Sequence, residues 1–296
     1  MRGLNPDHLT AFAQVVELGS FSAAAERLRL TQPAVSQQVR QLEQRLGLRL
    51  IERVGRRAAP TAAGAELLVH SRRIDAAVTA ALEAMGRHAG GEVGRVRLGT
   101  GATACIYLLP PILRRLRQEF PGLEMTVSTG NTADIVRAVE DNAIDLGLVT
   151  LPAAGRMLDV TPVLDDEFVA IAAADDDRLP ARVTPAALAA LPVLLYEPGG
   201  NTRRIVDEWF ARTGIDLKPV MALGSVKAIK ELVAAGLGCS VVPSMAVSRP
   251  AARPRIIARP LSPRLSRKLA IVMRRDKPLH RGLREMVTAL QRLSSG

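Results

Sequence analysis

Between Thr31 and Gln44 a set of short polar and basic side chains falls on one edge of a helical repeat. Pro33, Ser36, Gln37, Arg40 and Gln44 share that edge, opposite an apolar one of Val35, Val39, Leu42 and Leu46. Gln pairs bidentately with adenine and Arg with guanine, so a helix face of these types suits base edges in a DNA major groove. Arg49, Arg53, Arg56 and Arg57 follow closely. Arginines beside a reading helix hold phosphates, which sets position and salt-dependent affinity without reading sequence. A second candidate chemistry starts at Gly99, where Gly-Thr-Gly-Ala-Thr-Ala fits the G-x-G-x-x-A turn of a dinucleotide-binding oxidoreductase, with Glu124 as the ribose acid. Against it, Glu124 precedes the apolar run of the next strand instead of closing it, and Pro110 and Pro111 crowd the helix. No catalytic constellation stands out: there is no G-x-S-x-G elbow and no His/Glu metal spacing, and His8, His70, His88 and His280 fall outside the predicted cleft described below. Cys105 opens a helix, where a thiolate is stabilised, but the other cysteine, Cys239, lies far along the chain, and both read as structural thiols.

The reading face needs a scaffold. Asn5 and Pro6 make an N-cap and first helical position, and Leu9, Phe12, Val15 and Val16 give that helix a buried stripe ending at Gly19. Ser20 to Leu46 then reads as two helices around a tight turn, with Ala23, Ala24 and Ala25 as the close-packing surface and Thr31 as the second helix's N-cap. Two short β-prone pieces around Gly55 complete a winged helix-turn-helix over residues 1–60, in an otherwise all-α domain. Residues 61–87 form a linker helix in which Leu67, Ser71, Ile74, Val78, Ala81 and Met85 repeat at coiled-coil spacing. At ~1.5 Å per residue it is about 37 Å long and predicts a dimerisation element. Residues 88–94 are a glycine-rich hinge.

From residue 95 to 296 strands alternate with helices, which predicts parallel sheets covered by helices and split into two α/β lobes. Residues 95–163 and 265–296 form lobe I and 164–264 lobe II, so the chain crosses twice and encloses a cleft. Ligands in such sheets bind beyond the carboxyl ends of the strands, at helix N-termini. A solute receptor of the exported kind shares this shape, but it would have no use for residues 1–85.

The chain has 296 residues, 48% of them apolar, and a net charge of +11, which points to a polyanionic partner or an anionic ligand. Residues 1–90 hold 12 arginines against 8 acids, a net of only +4. Much of the excess lies between Arg249 and Arg281, with 11 basic residues and one acid. That stretch reads as solvated surface or as a field around a ligand cleft. Two cysteines build neither a disulfide framework nor a zinc site, the N-terminus lacks the apolar core of an export signal, and the longest apolar run, Leu232 to Val247, is broken by glycine and proline. These features predict a cytoplasmic protein without cofactor or membrane span.

With these pieces in order, the sequence resembles the LysR-type transcriptional regulators over essentially its whole length. The most specific signature, FxxAAxxLxxTQPAVSxQVxxLExxLGxxLxxRxxRRxxxTxAG, is matched from Phe21 to Gly64. YLLPPILRRLRQEFPG, GNTADIVRAVEDNAIDLGLV, EPGGNTRRIVDEWF and VAAGLGCSVVP are similar to the effector-binding half of that family. The resemblance implies a multidomain regulator: a winged helix-turn-helix domain on double-stranded promoter DNA, a linker helix that forms a homodimer, and a periplasmic-binding-protein-like, two-lobed domain for a small-molecule effector, within a homotetramer that also meets RNA polymerase. It implies DNA contacts by Ser22, Thr31, Gln32, Pro33, Ser36, Gln37, Arg40, Arg53, Arg56 and Arg57. It also implies a pocket formed by Thr100, Thr103, Asn131, Thr132, Thr150, Gly200, Asn201, Thr202, Ser225 and Val226. Each of the latter is an ordinary capping position by itself. Four helix starts converging without Asp or Glu at these positions favour a small carboxylate or phosphate.

Overall fold

The computed structural model describes residues 4–55, 57–88, 94–248 and 255–295. Arg56, residues 89–93 of the predicted hinge, and Arg249 and Arg253 of the basic stretch lie outside the described residues, as does the side chain of Met85. The chain divides into two compact units, one built on residues 1–90 and the other on residues 91–140 and 144–296.

In the first unit, the Asn5 side chain accepts from the Asp7 N–H at 2.9 Å and Pro6 opens helix α1, Pro6–Leu18. Gly19 ends it at φ 64°, a left-handed conformation that glycine adopts without strain. Ser20 caps α2, Phe21–Leu28, and Thr31 caps α3, Gln32–Leu46. Leu9, Phe12, Val15, Ala24, Ala25, Val35, Val39 and Leu42 form one core, in which the alanines allow α2 to lie close to its neighbours. Strands β1, Ile51–Val54, and β2, Arg57–Pro60, pair antiparallel as a wing. This hairpin is the wing expected around Gly55 in an otherwise all-α region. Glu43 ties wing to helix, since its carboxylate accepts from the N–H groups of Leu50 at 2.8 Å and Ile51 at 3.3 Å.

Helix α4 runs from Ala62 to His88, and the Thr61 hydroxyl accepts from the Gly64 N–H at 3.1 Å. Gly64 is required by packing: a Cβ there would overlap the Leu50 carbonyl oxygen. The predicted seam is unevenly buried. Leu67 and Ile74 pack on the core of their own unit, and Ser71 is buried with its hydroxyl donating to the Leu9 carbonyl at 3.4 Å. Val78, by contrast, is 44% exposed.

In the second unit, β3 (Arg95–Thr100), β4 (Glu124–Thr129) and β5 (Leu146–Thr150) are parallel. Between them run α5 (Ala102–Tyr107), α6 (Leu109–Glu119) and α7 (Thr132–Glu140). The first crossover holds two helices, the short α5 preceding α6. Strand β6, Leu158–Ala173, is the long crossing strand. It pairs with β11, Ser266–Arg274, up to Glu167, and from Phe168 onward with β9, Cys239–Pro243, and β10, Ile256–Pro260. The change of pairing partner falls at Glu167–Phe168, in the middle of β6. The return lies beside it, where Phe168 N–H donates to the Leu265 carbonyl at 2.8 Å.

Lobe II adds α8 (Pro185–Ala189), β7 (Val193–Tyr196), α9 (Asn201–Ala211), β8 (Met221–Leu223) and α10 (Val226–Ala234). Helix α11, Arg281–Gln291, returns to lobe I and buries Leu283, Met286 and Leu290. His280 caps it, its Nδ1 accepting from the Leu283 N–H. Each lobe has apolar clusters on both faces of its sheet, as strands covered on two sides demand.

Candidate functional site

The first unit presents one charged surface. Pro33, Gln37 and Arg40 are exposed on α3, Ser22 is exposed at the start of α2, and Ser36 is half-buried with its hydroxyl accepting from Gln32 Nε2 at 2.9 Å. Thr31 spends its hydroxyl on the helix cap. A groove runs between helices and wing, lined by Ser22, Gln32, Ser36 and Arg40 on one side and by Arg49 and Arg53 on the other. Arg57 is exposed on β2. Among the described residues no carboxylate pairs with Arg40, Arg49, Arg53 or Arg57, so these cations face solvent.

The second unit holds a cleft of about 400 Å³ between its lobes. Thr103, Asn131, Thr132, Thr150, Gly200, Asn201, Thr202 and Val226 line it. Two residues of the expected set do not. Thr100 is fully buried, its hydroxyl donating to the Leu148 carbonyl at 2.8 Å, so it holds β3 to β5. Ser225 only precedes the lining at Val226. Several lining side chains already have partners: Thr132 Oγ1 donates to the Thr150 carbonyl at 3.0 Å, and Asn201 Nδ2 donates to the same carbonyl at 2.7 Å, which joins the lobes.

Side-chain caps are missing from three of the four helices that open on the cleft, and from α6 outside it. Helices α1, α2, α3, α8 and α11 each have a side chain accepting from the first turn. Of the four helices that open on the cleft, only α7 does, through Asn131 and the Asp134 N–H. Those at Gly101, Gly200 and Ser225 have no side-chain cap bond. Their first-turn N–H groups and the positive ends of their dipoles are left to whatever occupies the cleft.

Sequence reading missed the charged lining, Glu197, Arg203 and Arg267. Arg267 belongs to the late basic stretch, Arg249 to Arg281, that reads as solvated surface or as a field around a ligand cleft. It lies opposite Asp166 on the crossing strands, donates to it at 2.9 Å, and donates to Thr202 Oγ1 at 3.0 Å. Asp166 also accepts from Ser244 Oγ and the Met245 N–H. The only available signal was an arginine and an aspartate at two predicted crossings, about a hundred residues apart.

The dinucleotide alternative fails on geometry. Helix α5 has six residues, Glu124 opens β4, and Gly99 serves close packing, since a Cβ there would stand 2.8 Å from Ile135 Cδ1. Cys239 is buried, donates to the Pro192 carbonyl, and burial pushes its thiol up to about 11. Among the described residues no group of three or more His, Cys, Asp or Glu could hold a metal ion, and no helix is long and apolar enough to cross a membrane.

A winged helix-turn-helix unit followed by a two-lobed cleft defines a DNA-binding regulator with an effector domain. Comparison with known proteins agrees: residues 6–65 match the bacterial regulatory helix-turn-helix proteins of the lysR family, and residues 89–294 match the LysR substrate binding domain. The chain belongs to the LysR family; it is a transcriptional regulator and not an enzyme. It is 33% identical over 282 residues to the uncharacterized HTH-type transcriptional regulator YeiE of Escherichia coli K12, covering 94% of each chain. It is 35% identical over 244 residues to the HTH-type transcriptional regulator CbbR of Rhodospirillum rubrum, covering 80% of each. Among solved structures, CbnR, a LysR family transcriptional regulator, is similar in fold, with a TM-score of 0.75 and 22% identity over 98% of this chain and 99% of that one. Full-length CbnR has also been solved with its target DNA, at a TM-score of 0.73.

Proposed function

We propose that the helix-turn-helix unit reads a double-stranded promoter sequence through Ser22, Gln32, Pro33, Ser36, Gln37 and Arg40, while Arg53, Arg56 and Arg57 hold phosphates. The observation that carries this is the set of solvent-facing, unpaired arginines flanking one groove beside an exposed Gln/Arg helix face. The solved complex of CbnR with its target DNA, similar in fold, supports it. Gln37→Ala and Arg40→Ala are expected to relax base preference, at roughly 1–3 kcal/mol per lost bidentate pair. Arg53→Ala is expected to weaken binding to all sequences alike and lower the slope of log K against log salt by about 0.9. Binding isotherms on specific and scrambled duplexes over a salt series separate the two, and a uniform loss from all three variants would refute the division of labour.

The effector cleft, in the same proposal, takes a small metabolite with an anionic group. The missing side-chain cap at Gly200, where the eleven-residue α9 opens on the cleft, supports this, because an anion replaces the cap that the helix lacks. Titration calorimetry of the full chain with anionic, neutral and cationic metabolites tests it. Tight binding by neutral or cationic ligands alone would sink it.

A further inference from the structure

We propose that the cleft ligand is a zwitterion, an α-amino acid or close analogue with an ammonium group beside its carboxylate. This rests on reading the interlobe cleft as the effector site. The three charged side chains that line it are Glu197, Arg203 and Arg267, and both cations are already occupied. Arg267 and Asp166 form an ion pair in which each side chain is 3% exposed. Arg203 donates to Asp207 at 2.7 Å and to the Tyr196 carbonyl at 2.6 Å.

Glu197 differs. Among the described residues no cation and no hydrogen-bond donor reaches its carboxylate. That carboxylate lies over Gly224, with Oε2 3.1 Å from where a Cβ would stand, and so beside the uncapped start of α10. The one formal charge of the lining without a side-chain partner is therefore negative, whereas the uncapped start of α9 favours negative ligand charge. A ligand of a single sign meets repulsion at one of these places, whereas a ligand with both signs satisfies both.

The chain presents both poles from one short bend. Glu197 starts it, Pro198, Gly199 at φ 97° and Gly200 turn it, and Asn201 begins the eleven-residue α9 with its first-turn N–H groups free of a side-chain cap. The two charges of the ligand must then be separated by few bonds, as in an α-amino acid. Beside Glu197, Tyr196 also lines the cleft, with its hydroxyl buried. A volume of about 400 Å³ suits a ligand of that size.

The test uses the full chain and titration calorimetry with α-amino acids and with α-hydroxy acids of matching side chains, on the native protein and on Glu197→Gln. Glu197 is exposed, so the variant is expected to melt like the native protein without ligand. At least one amino acid should bind about tenfold or more tightly than its hydroxy acid, and Glu197→Gln should bring the two level by weakening the amino acid alone. Equal or tighter binding of the hydroxy acid, or an amino acid affinity unmoved by the substitution, overturns the zwitterion and leaves the anion reading standing. If no member of either series binds, the zwitterion falls, and the anion reading is decided by the wider titration above.

Discussion

Two buried ion clusters decide most at the scale of residues. Arg267 and Asp166 join both crossing strands, the start of α9 and the turn at Ser244–Ala246. Removing one partner strands the other charge in the interior, so Arg267→Met and Asp166→Asn are each expected to destabilise the second unit by about 3–5 kcal/mol. The double variant should cost much less than their sum, and a double-mutant cycle in urea reads the difference. Near the opposite ends of the strands of lobe I, Asp145 accepts from the Arg97 N–H at 2.7 Å, from Arg97 Nη2 at 2.9 Å and from Lys277 Nζ at 2.6 Å. Burial pushes its pKa up, but the bonds and charges of Arg97 and Lys277 outweigh burial and hold it below its ordinary 3.8. A carboxyl group depressed in the folded state stabilises above its unfolded pKa, and that contribution is lost as pH falls through the folded value. Asp145→Asn should therefore lower the melting temperature at neutral pH, with the gap to the native protein closing below about pH 4. Thermal melts across that range check it; a gap independent of pH would refute the assignment.

At the scale of elements, α4 carries one continuous repeat whose two halves differ in burial. The spacing of Leu67, Ser71, Ile74, Val78 and Ala81 is continuous, yet its first half packs against α1 of the same unit while Val78 stays exposed. We propose that the outer half, with Val78, forms the dimer seam expected of residues 61–87. Val78→Glu should then lower self-association in sedimentation by about tenfold or more while the first unit keeps its stability. Ile74→Ala should do the reverse, destabilising that unit by about 2–4 kcal/mol. Equal effects on association from both positions would mean that the seam is not divided. The wing depends on a similar dual use. Glu43 was legible only as part of a helix, but its carboxylate fixes the start of β1, so its position in the signature records a contact made between elements.

At the scale of the whole molecule, the modest charge of residues 1–90, +4, limits what one DNA reader can do. Joining two copies makes the second binding event intramolecular, which can raise avidity about a hundredfold or more. A duplex with two half-sites a whole number of helical turns apart is expected to bind that much more tightly than one with a single half-site. Equal affinity in a gel-shift titration would remove the paired-site reading.

What the sequence determined by itself is everything that depends on local periodicity and capping. The helix starts at Asn5, Ser20 and Thr31, the apolar edge of α3, the two-lobed alternation of strands and helices, and the run from Phe21 to Gly64 that resembles the LysR family were all legible, because their signals lie within a few residues of one another. The tertiary structure alone decided which polar residues share a space. Thr100 and Thr103 look alike in sequence, yet one is spent on the Leu148 carbonyl and the other faces the cleft. Arg267 and Asp166 stand about a hundred residues apart and meet only because β6 and β11 pair across both lobes. Glu197 is an ordinary loop acid until the bend after β7 carries it into the cleft, where the neighbouring cations are already taken. Charge compensation is a property of distances in space, and no one-dimensional pattern records it.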